Sequence, residues 1–426
     1  MKLAFITPRY GADIPSGAEH ACRLLAEHAS QRHDVDVLTT CARDPLTWRN
    51  EYQEGQDRVR GVRVRRFMVG SAEDPDAVAA VRRRLLAEPH TREEELDLAR
   101  RAGPWSAGLL EHLSRQHRSY DAILFFSLFH ATTVQGLAIA PERSLLFPYL
   151  QYRDVLRLSL WSDVLASARA LGLFSSAEHR LLRAWFPGLS VPTELVGIGI
   201  DPPPRQSYPR HQQDPADAVV DEDEPAPEHG EEDLPPEDAY LTAPGVPFRR
   251  RHRLYGPFAL YGGRIEPDNG CEEMLDYFDT YAGHGGEMPL VLMGVKMMKV
   301  PDERYLRQAG VLPDRDRMIA FEAADLTITP ASDDLLAQPV LESFAVGTPV
   351  LASSANAAAV DHCRRAHAGL YYGSRDEFTE AMQVLAADSA LRRRLGDAGR
   401  AYVEQQYRWD AVLARLERLV SRAKPR

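Results

Sequence analysis

The chain predicts an α/β protein of two doubly wound halves that face each other across a cleft. Three observations lead there. Short apolar runs alternate with helical patterns through the N-terminal half, the alternation stops in an acidic, Pro-rich stretch, and it then resumes. The length of 426 residues fits two or three domains at roughly 100–200 residues each.

Taken in order, Leu3–Pro8 reads as a buried strand, and Ser16-Gly17-Ala18-Glu19 opens a helix. Its apolar face is Ala18, Ala21, Cys22 and Leu25, at spacings of three and four. Val35–Thr40 and the alternating Val62–Phe67 are the next strands; Asp76–Glu88, Arg92–Arg101 and Trp105–His112 are helices. Ala122–Phe126, Ser144–Leu150, Leu171–Ser175 and Leu195–Gly199 complete the first block. Strands alternating with helices predict a parallel sheet covered on both faces. Residues 202–248 are rich in Pro, Asp and Glu. Such a segment cannot bury enough apolar surface to offset its ordering entropy, so it is expected to be a disordered inter-domain insert.

The pattern then returns with strands Phe258–Tyr261, Pro289–Met293, Asp325–Thr329, Val350–Ser353 and Gly369–Tyr372. A helix begins near Gly270, and another spans Gln338–Ala345, with Gly347 placed as its C-terminal cap and Pro349 beyond. No strand is expected between Gly294 and Asp325. From Ser374 to about Val420 the pattern is helical, with breaks expected near Asp388 and Gly396. The predicted organisation is a first domain over 1–201, a linker over 202–248, a second domain over 249–406, and a terminal helix over 407–426 crossing back to the first.

Apolar residues make up 44% and charged residues 27% of the chain, ordinary for a globular enzyme. The net charge is −11, but residues 211–240 hold twelve Asp and Glu and no Lys or Arg. The remainder carries +1. An extended basic surface for nucleic acid is therefore not expected. Cys22, Cys41, Cys271 and Cys363 form no CxxC pair, and read as reduced thiols of a cytoplasmic protein. The opening apolar run is too short for a signal peptide and is broken by Pro8, and no run of 18 apolar residues occurs.

In parallel sheets, ligands bind beyond the carboxyl ends of strands. Three such ends carry chemistry. Thr7–Gly11 leads into a helix at Gly17, whose free N–H groups and positive dipole end suit a phosphate. Gly262-Gly263-Arg264 precedes another helix; a guanidinium there can bind a diphosphate through two charge-assisted bonds. Asp334 and Glu342, with seven residues between them, are acceptors for vicinal sugar hydroxyls.

Together these segments resemble family-4 retaining glycosyltransferases of the GT-B fold, two Rossmann-like domains facing a cleft. The motifs are Ser16-Gly17-Ala18-Glu19, Gly263-Arg264…Gly270, Asp334-x7-Glu342 and Gly347-Thr348-Pro349-Val350. Ser176-Ala177-Glu178, Gly199-Ile200-Asp201 and Tyr407-Arg408-Trp409 add to the likeness, which covers nearly the whole chain outside the insert. The resemblance implies a nucleoside-diphosphate-sugar as co-substrate, no other cofactor, no metal, and transfer with retention. It implies that Glu342 binds the donor ribose, that Asp334 contacts the transferred sugar, and that Arg264, Gly263 and the backbone near Gly17 hold the diphosphate. Two DxD strings of the metal-dependent kind, Asp34-Val35-Asp36 and Asp314-Arg315-Asp316, are assigned to a strand and to a charged loop.

The departures from the family are specific. The Lys expected five residues after Arg264 is Asn269, the first Glu of E-x7-E is Asp334, and bulky Leu335 and Leu336 replace small residues, which should narrow the sugar pocket or reroute its backbone. For the His that members often carry near the reacting sugar, the stretch Phe125–His130 offers His130 nearby without clear register, and the second slot, Gln151-Tyr152-Arg153-Asp154, has none. The acceptor is expected on the N-terminal half, around Trp105, Ser106 and His130. It could be a sugar, a small molecule or a lipid-linked compound, and the last would bring the protein to the inner membrane face. Two readings stand: a working transferase with a divergent donor pocket, and a GT-B protein that has lost catalysis and serves as a binding or partner subunit.

Overall fold

The computed structural model describes residues 1–14, 17–70, 74–150, 154–201, 245–330 and 333–423. The first sheet contains β1 (Lys2–Ile6), β2 (Asp34–Thr40), β3 (Gly55–Val59), β4 (Val62–Phe67), β5 (Ala122–Phe126), β6 (Ser144–Phe147), β7 (Ala170–Leu173) and β8 (Thr193–Leu195). Their spatial order is β3-β4-β2-β1-β5-β6-β7-β8, parallel except for β3 against β4. The second sheet contains β9 (Ala259–Gly262), β10 (Leu290–Met293), β11 (Leu306–Gly310), β12 (Leu326–Thr329), β13 (Val350–Ser353) and β14 (Gly369–Tyr372). It is ordered β11-β10-β9-β12-β13-β14 and wholly parallel. The expected α/β architecture of two parallel-sheet halves is what the chain adopts.

The topology decides where a ligand can sit. In the first sheet the order reverses between β1 and β5, and in the second between β9 and β12. Helices leave on opposite faces at such a reversal, so a crevice opens beyond the carboxyl ends of those strands. The central strands are apolar because both faces are covered: all five residues of β5 and all four of β9, β10 and β12 are buried.

Several features differ from the sequence reading. β3, GQDRV, is an exposed edge strand with no apolar signal, held by β4 alone. β11, LRQAG, occupies the stretch read as lacking a strand; only Leu306 of it is buried. Asp314-Arg315-Asp316 is the first turn of the helix Asp314–Ala323, where the two acids complement the dipole, and not a loop. Gly396 lies inside the unbroken helix Ser389–Gln406. A Cβ there would stand 1.9 Å from the carbonyl oxygen of Gly347, so the glycine permits a close helix crossing and does not mark a break. Gly347 caps the helix Gln338–Val346 in the left-handed conformation, as expected.

The helix Val246–His252 begins inside the stretch read as linker. Phe248 packs in one core cluster with Phe258 and Phe321, and Arg249 pairs with Asp325 at 3.0 Å. The rest of that stretch, residues 202–244, lies outside the described residues. At the other end, the helix Trp409–Ser421 buries Val412, Leu413, Leu416, Leu419 and Val420 in the core of the first half. The Ile200 N–H donates to the Tyr407 carbonyl at 2.8 Å, and Trp409 stacks on His28 with ring centroids 3.6 Å apart. Gly199 makes room for that indole, because a Cβ there would meet it at 2.3 Å. All four cysteines are buried and unpaired. No helix among the described residues is long and apolar enough to cross a membrane.

Candidate functional site

A cavity of about 1530 Å³ lies between the halves and takes in the loops after β1, β5, β9 and β12. Gly17, His130, Gly263, Arg264, Asn269, Asp334 and Glu342 all line it. Residues far apart in the chain thus converge on one cleft.

On the C-terminal wall, the loop after β9 is braced from within. The Arg264 carbonyl accepts from the Tyr261 hydroxyl at 2.7 Å and from Asn269 Nδ2 at 3.0 Å. The Arg264 guanidinium is half-exposed and pairs with Glu266 at 2.9 Å. Asn269 also donates to Glu266 at 3.0 Å. It therefore holds the loop together and puts no charge into the cleft. The bracing fixes Arg264 before any ligand arrives, which is how a charged group is preorganised.

Asp334 bends back on its own turn. Its Oδ1 accepts from the Leu336 N–H at 2.9 Å, an arrangement short acidic side chains favour. Burial raises its pKa, opposed by the N–H groups of Leu336 and Ala337 and by the nearby Arg317. The loop continues through Leu335 and Leu336, both buried, which join the apolar core of the N-terminal half. These two leucines cross the cleft and pin the loop against the opposite domain. Glu342 follows on the helix Gln338–Val346, only 8% exposed at its side chain. It pairs with Arg317 and accepts from Gln338 Nε2 at 2.9 Å. Burial raises its pKa, and Arg317 and Gln338 act against that.

The N-terminal wall is different. The helix Gly17–Ala29 starts at the cleft with Gly17 at a φ of +78°. Arg9, after β1, gives both Nε and a terminal nitrogen to Glu19, at 3.0 and 2.8 Å. His130 precedes the helix Ala131–Leu137; its Nδ1 is 2.8 Å from the Ser127 hydroxyl, and its ring meets Trp48 edge-on at 5.5 Å. Burial pushes the His130 pKa down to about 4, so the imidazole is neutral near pH 7.

Trp105 and Ser106 are not at the cleft. Ser106 is buried, donates to the Met68 carbonyl at 2.8 Å, and caps the helix Ala107–Gln116. Trp105 lies against Arg100, 4.6 Å from its guanidinium carbon. Gly103 packs against Trp48, whose indole N–H donates to the Ala102 carbonyl at 2.9 Å. Of the second slot, residues 151–153 lie outside the described residues, and Asp154 lines the cleft.

Two cleft residues escaped sequence reading. Arg9 sits in the loop singled out for phosphate, and its position directly after a strand was the available signal. Arg317 lies one turn into a helix whose start had read as loop, so no signal placed it opposite Glu342. Of the DxD strings, Asp34 and Asp36 pair with Arg63 on the sheet surface, and Asp314 faces Arg60 at 3.4 Å. Among the described residues, no three His, Cys, Asp or Glu are grouped to hold a metal.

Residues 284–418 match the family model described as glycosyl transferase-like. Solved structures align over almost the whole chain. Sucrose-phosphate synthase from Thermosynechococcus elongatus is 16% identical, with 99% of this chain and 98% of that one covered and a TM-score of 0.61. HepE of Anabaena, in complex with UDP, is 14% identical over 99% and 100%, with a TM-score of 0.63. Trehalose 6-phosphate synthase from Burkholderia multivorans is 12% identical over 98% of each chain, with a TM-score of 0.64. No curated protein matches the sequence. The fold is GT-B, and residues 284–418 are similar to the glycosyl transferase-like family.

Proposed function

We propose that the protein transfers a sugar from a nucleoside-diphosphate donor on the C-terminal wall to an acceptor on the N-terminal wall. The observation that carries this reading is the convergence of Arg264, Asp334, Glu342 and the helix end at Gly17 on one cleft. Glu342 would accept from the ribose hydroxyls, exchanging part of its bond to Arg317 for them. Arg264 and the N-terminus of the helix Gly17–Ala29 would stabilise the departing diphosphate, so no metal is needed. Asp334 would orient the transferred sugar. The bond from the anomeric carbon to the diphosphate oxygen breaks, the acceptor oxygen bonds to that carbon, and the acceptor proton leaves with the diphosphate. Retention of configuration follows from the family resemblance. Neutral His130 would hydrogen-bond a hydroxyl of the reacting sugar and carries no charge to it.

UDP is the first nucleotide to test, because HepE, which shares the fold, is in complex with it. Titration calorimetry with UDP, GDP, ADP and TDP, run beside Glu342→Ala and Arg264→Ala, decides the matter. Micromolar binding of one nucleotide, weakened at least ten-fold by both substitutions, is the expected result. Silence of all four up to millimolar concentration would move the protein to the binding-subunit reading. The observation on that side is that Asn269 closes its own loop and brings no cation to the diphosphate.

A further inference from the structure

The N-terminal end of the cleft points to an acceptor of a particular chemistry. Beyond His130 the cleft runs between the helices Pro75–Ala87 and Arg92–Arg101, over the short segment Val155–Arg157. Val78 and Ala79 of the first helix, Leu98 of the second, and Phe129 and Val155 below them line it. Phe129 meets Trp161 edge-on at 5.1 Å, which closes the floor with a second ring. Leu46 stands 67% exposed on the rim.

The polar complement is sparse. A sugar acceptor is held by convergent amide and carboxylate side chains that bond its hydroxyls. Among the described residues that line the cleft from Pro45 to Trp161, there is no Asn or Gln and one carboxylate, Asp154. Cations are more plentiful, and most are engaged. Arg60 faces Asp314, and Arg101 pairs with Asp97 at 2.6 Å. Arg82 lies one turn beyond Val78 and Ala79 on the same face, half-buried at the cleft, and has no carboxylate partner among the described residues. An apolar trough ending in one uncommitted guanidinium complements a molecule with an apolar body and an acidic group.

We infer that the acceptor is such an amphipathic anion, its apolar body lying between the helices Pro75–Ala87 and Arg92–Arg101 and its acidic group on Arg82. The inference rests on the transferase reading only for the word acceptor; the site itself is a property of this wall. Aromatic acids and isoprenoid phosphates share this chemistry, and the probes separate them.

The test is fluorescence and calorimetric titration of the full chain with 1-naphthyl phosphate, farnesyl phosphate, 1-naphthol and glucose 6-phosphate, with UDP titrated separately. One or both apolar phosphates should bind at least ten-fold more tightly than 1-naphthol and glucose 6-phosphate. Arg82→Gln should remove that advantage, leaving 1-naphthol unchanged, and Val78→Asp should weaken every apolar probe. Arg264→Ala should leave the apolar phosphates unaffected, and neither Arg82→Gln nor Val78→Asp should move UDP by more than two-fold. A ring preference assigns an aromatic acid, and a chain preference an isoprenoid. The inference is overturned if glucose 6-phosphate binds as well as the apolar phosphates, if neither apolar phosphate binds, or if Arg264→Ala weakens them where Arg82→Gln does not. UDP failing while the apolar phosphates bind would sink the donor reading and leave this site standing; the reverse would sink this site alone.

Discussion

The two walls of the cleft face each other but are made of different material. The C-terminal wall is a set of strand-end loops in which charged and polar groups are already bonded: Arg264 to Glu266, Asn269 to the Arg264 carbonyl, Asp334 to its own turn, and Glu342 to Arg317. The N-terminal wall past His130 is helical and lined by Val78, Ala79, Leu98, Phe129 and Val155; among the described residues that line the cleft from Pro45 to Trp161 there is no Asn or Gln and one carboxylate. A preorganised polar surface suits a ligand whose charge and hydroxyl pattern never vary, as in a nucleoside diphosphate. An apolar surface takes its specificity from shape, and can change ligand by exchanging a few side chains.

The comparison can be broken at the joint between the walls. Trp409→Ala removes the indole stacked on His28 at the start of the helix that returns to the first half. A buried tryptophan lost to alanine costs about 3–5 kcal/mol. A loss of that size in the unfolding free energy from urea titration is expected, and a loss under about 1 kcal/mol would mean that the helix does not depend on this contact.

On the polar wall, Arg264→Ala should lower donor turnover about 100-fold, the scale found when one charge-stabilising donor is removed. If donor hydrolysis or transfer falls less than three-fold, Arg264 is not at the leaving group. Glu342→Gln, which keeps shape and loses charge, should weaken nucleotide binding about ten-fold, near the lower end of a charged hydrogen bond. Unchanged affinity would place the ribose elsewhere.

A pH-dependent effect concerns the floor of the N-terminal wall. Glu178 is fully buried and accepts N–H bonds from Phe174 at 2.8 Å and Leu150 at 3.3 Å, so it holds the backbone beside Tyr149. Burial raises its pKa to about 7, and those backbone donors oppose the rise. With the folded value above the unfolded one, its contribution is fully present below about pH 4.5 and is lost as the pH climbs through 7. Wild-type stability should therefore fall between pH 5 and pH 8 relative to Glu178→Gln, by roughly 2–3 kcal/mol. Parallel stability curves for the two proteins would show that Glu178 is ionised throughout.

Legibility in the sequence follows the same divide. Gly263, Arg264, Asp334 and Glu342 could be placed because each stands at a fixed offset from an apolar strand, and a strand end in a parallel sheet is where ligands bind. The edge strands could not. β3 and β11 carry almost no buried residue, so no periodicity distinguishes them from loop. Trp105 and Ser106 were assigned to the cleft from a turn-like segment, but Ser106 spends its hydroxyl on capping a helix.

The sequence by itself determined the two-halved α/β fold and the strand ends that carry the C-terminal-wall residues, because burial on both faces of a parallel sheet writes itself as local apolar runs. Only the folded chain shows that Gly199 and Gly396 are close crossings, where a Cβ would meet the Trp409 indole and the Gly347 carbonyl. Tertiary structure alone decided that Arg317 meets Glu342, that Leu335 and Leu336 cross to the opposite core, and that Val78, Leu98 and Arg82 share one trough. Those are contacts between elements, set by how helices pack on separate sheets, and no periodicity within one segment encodes them.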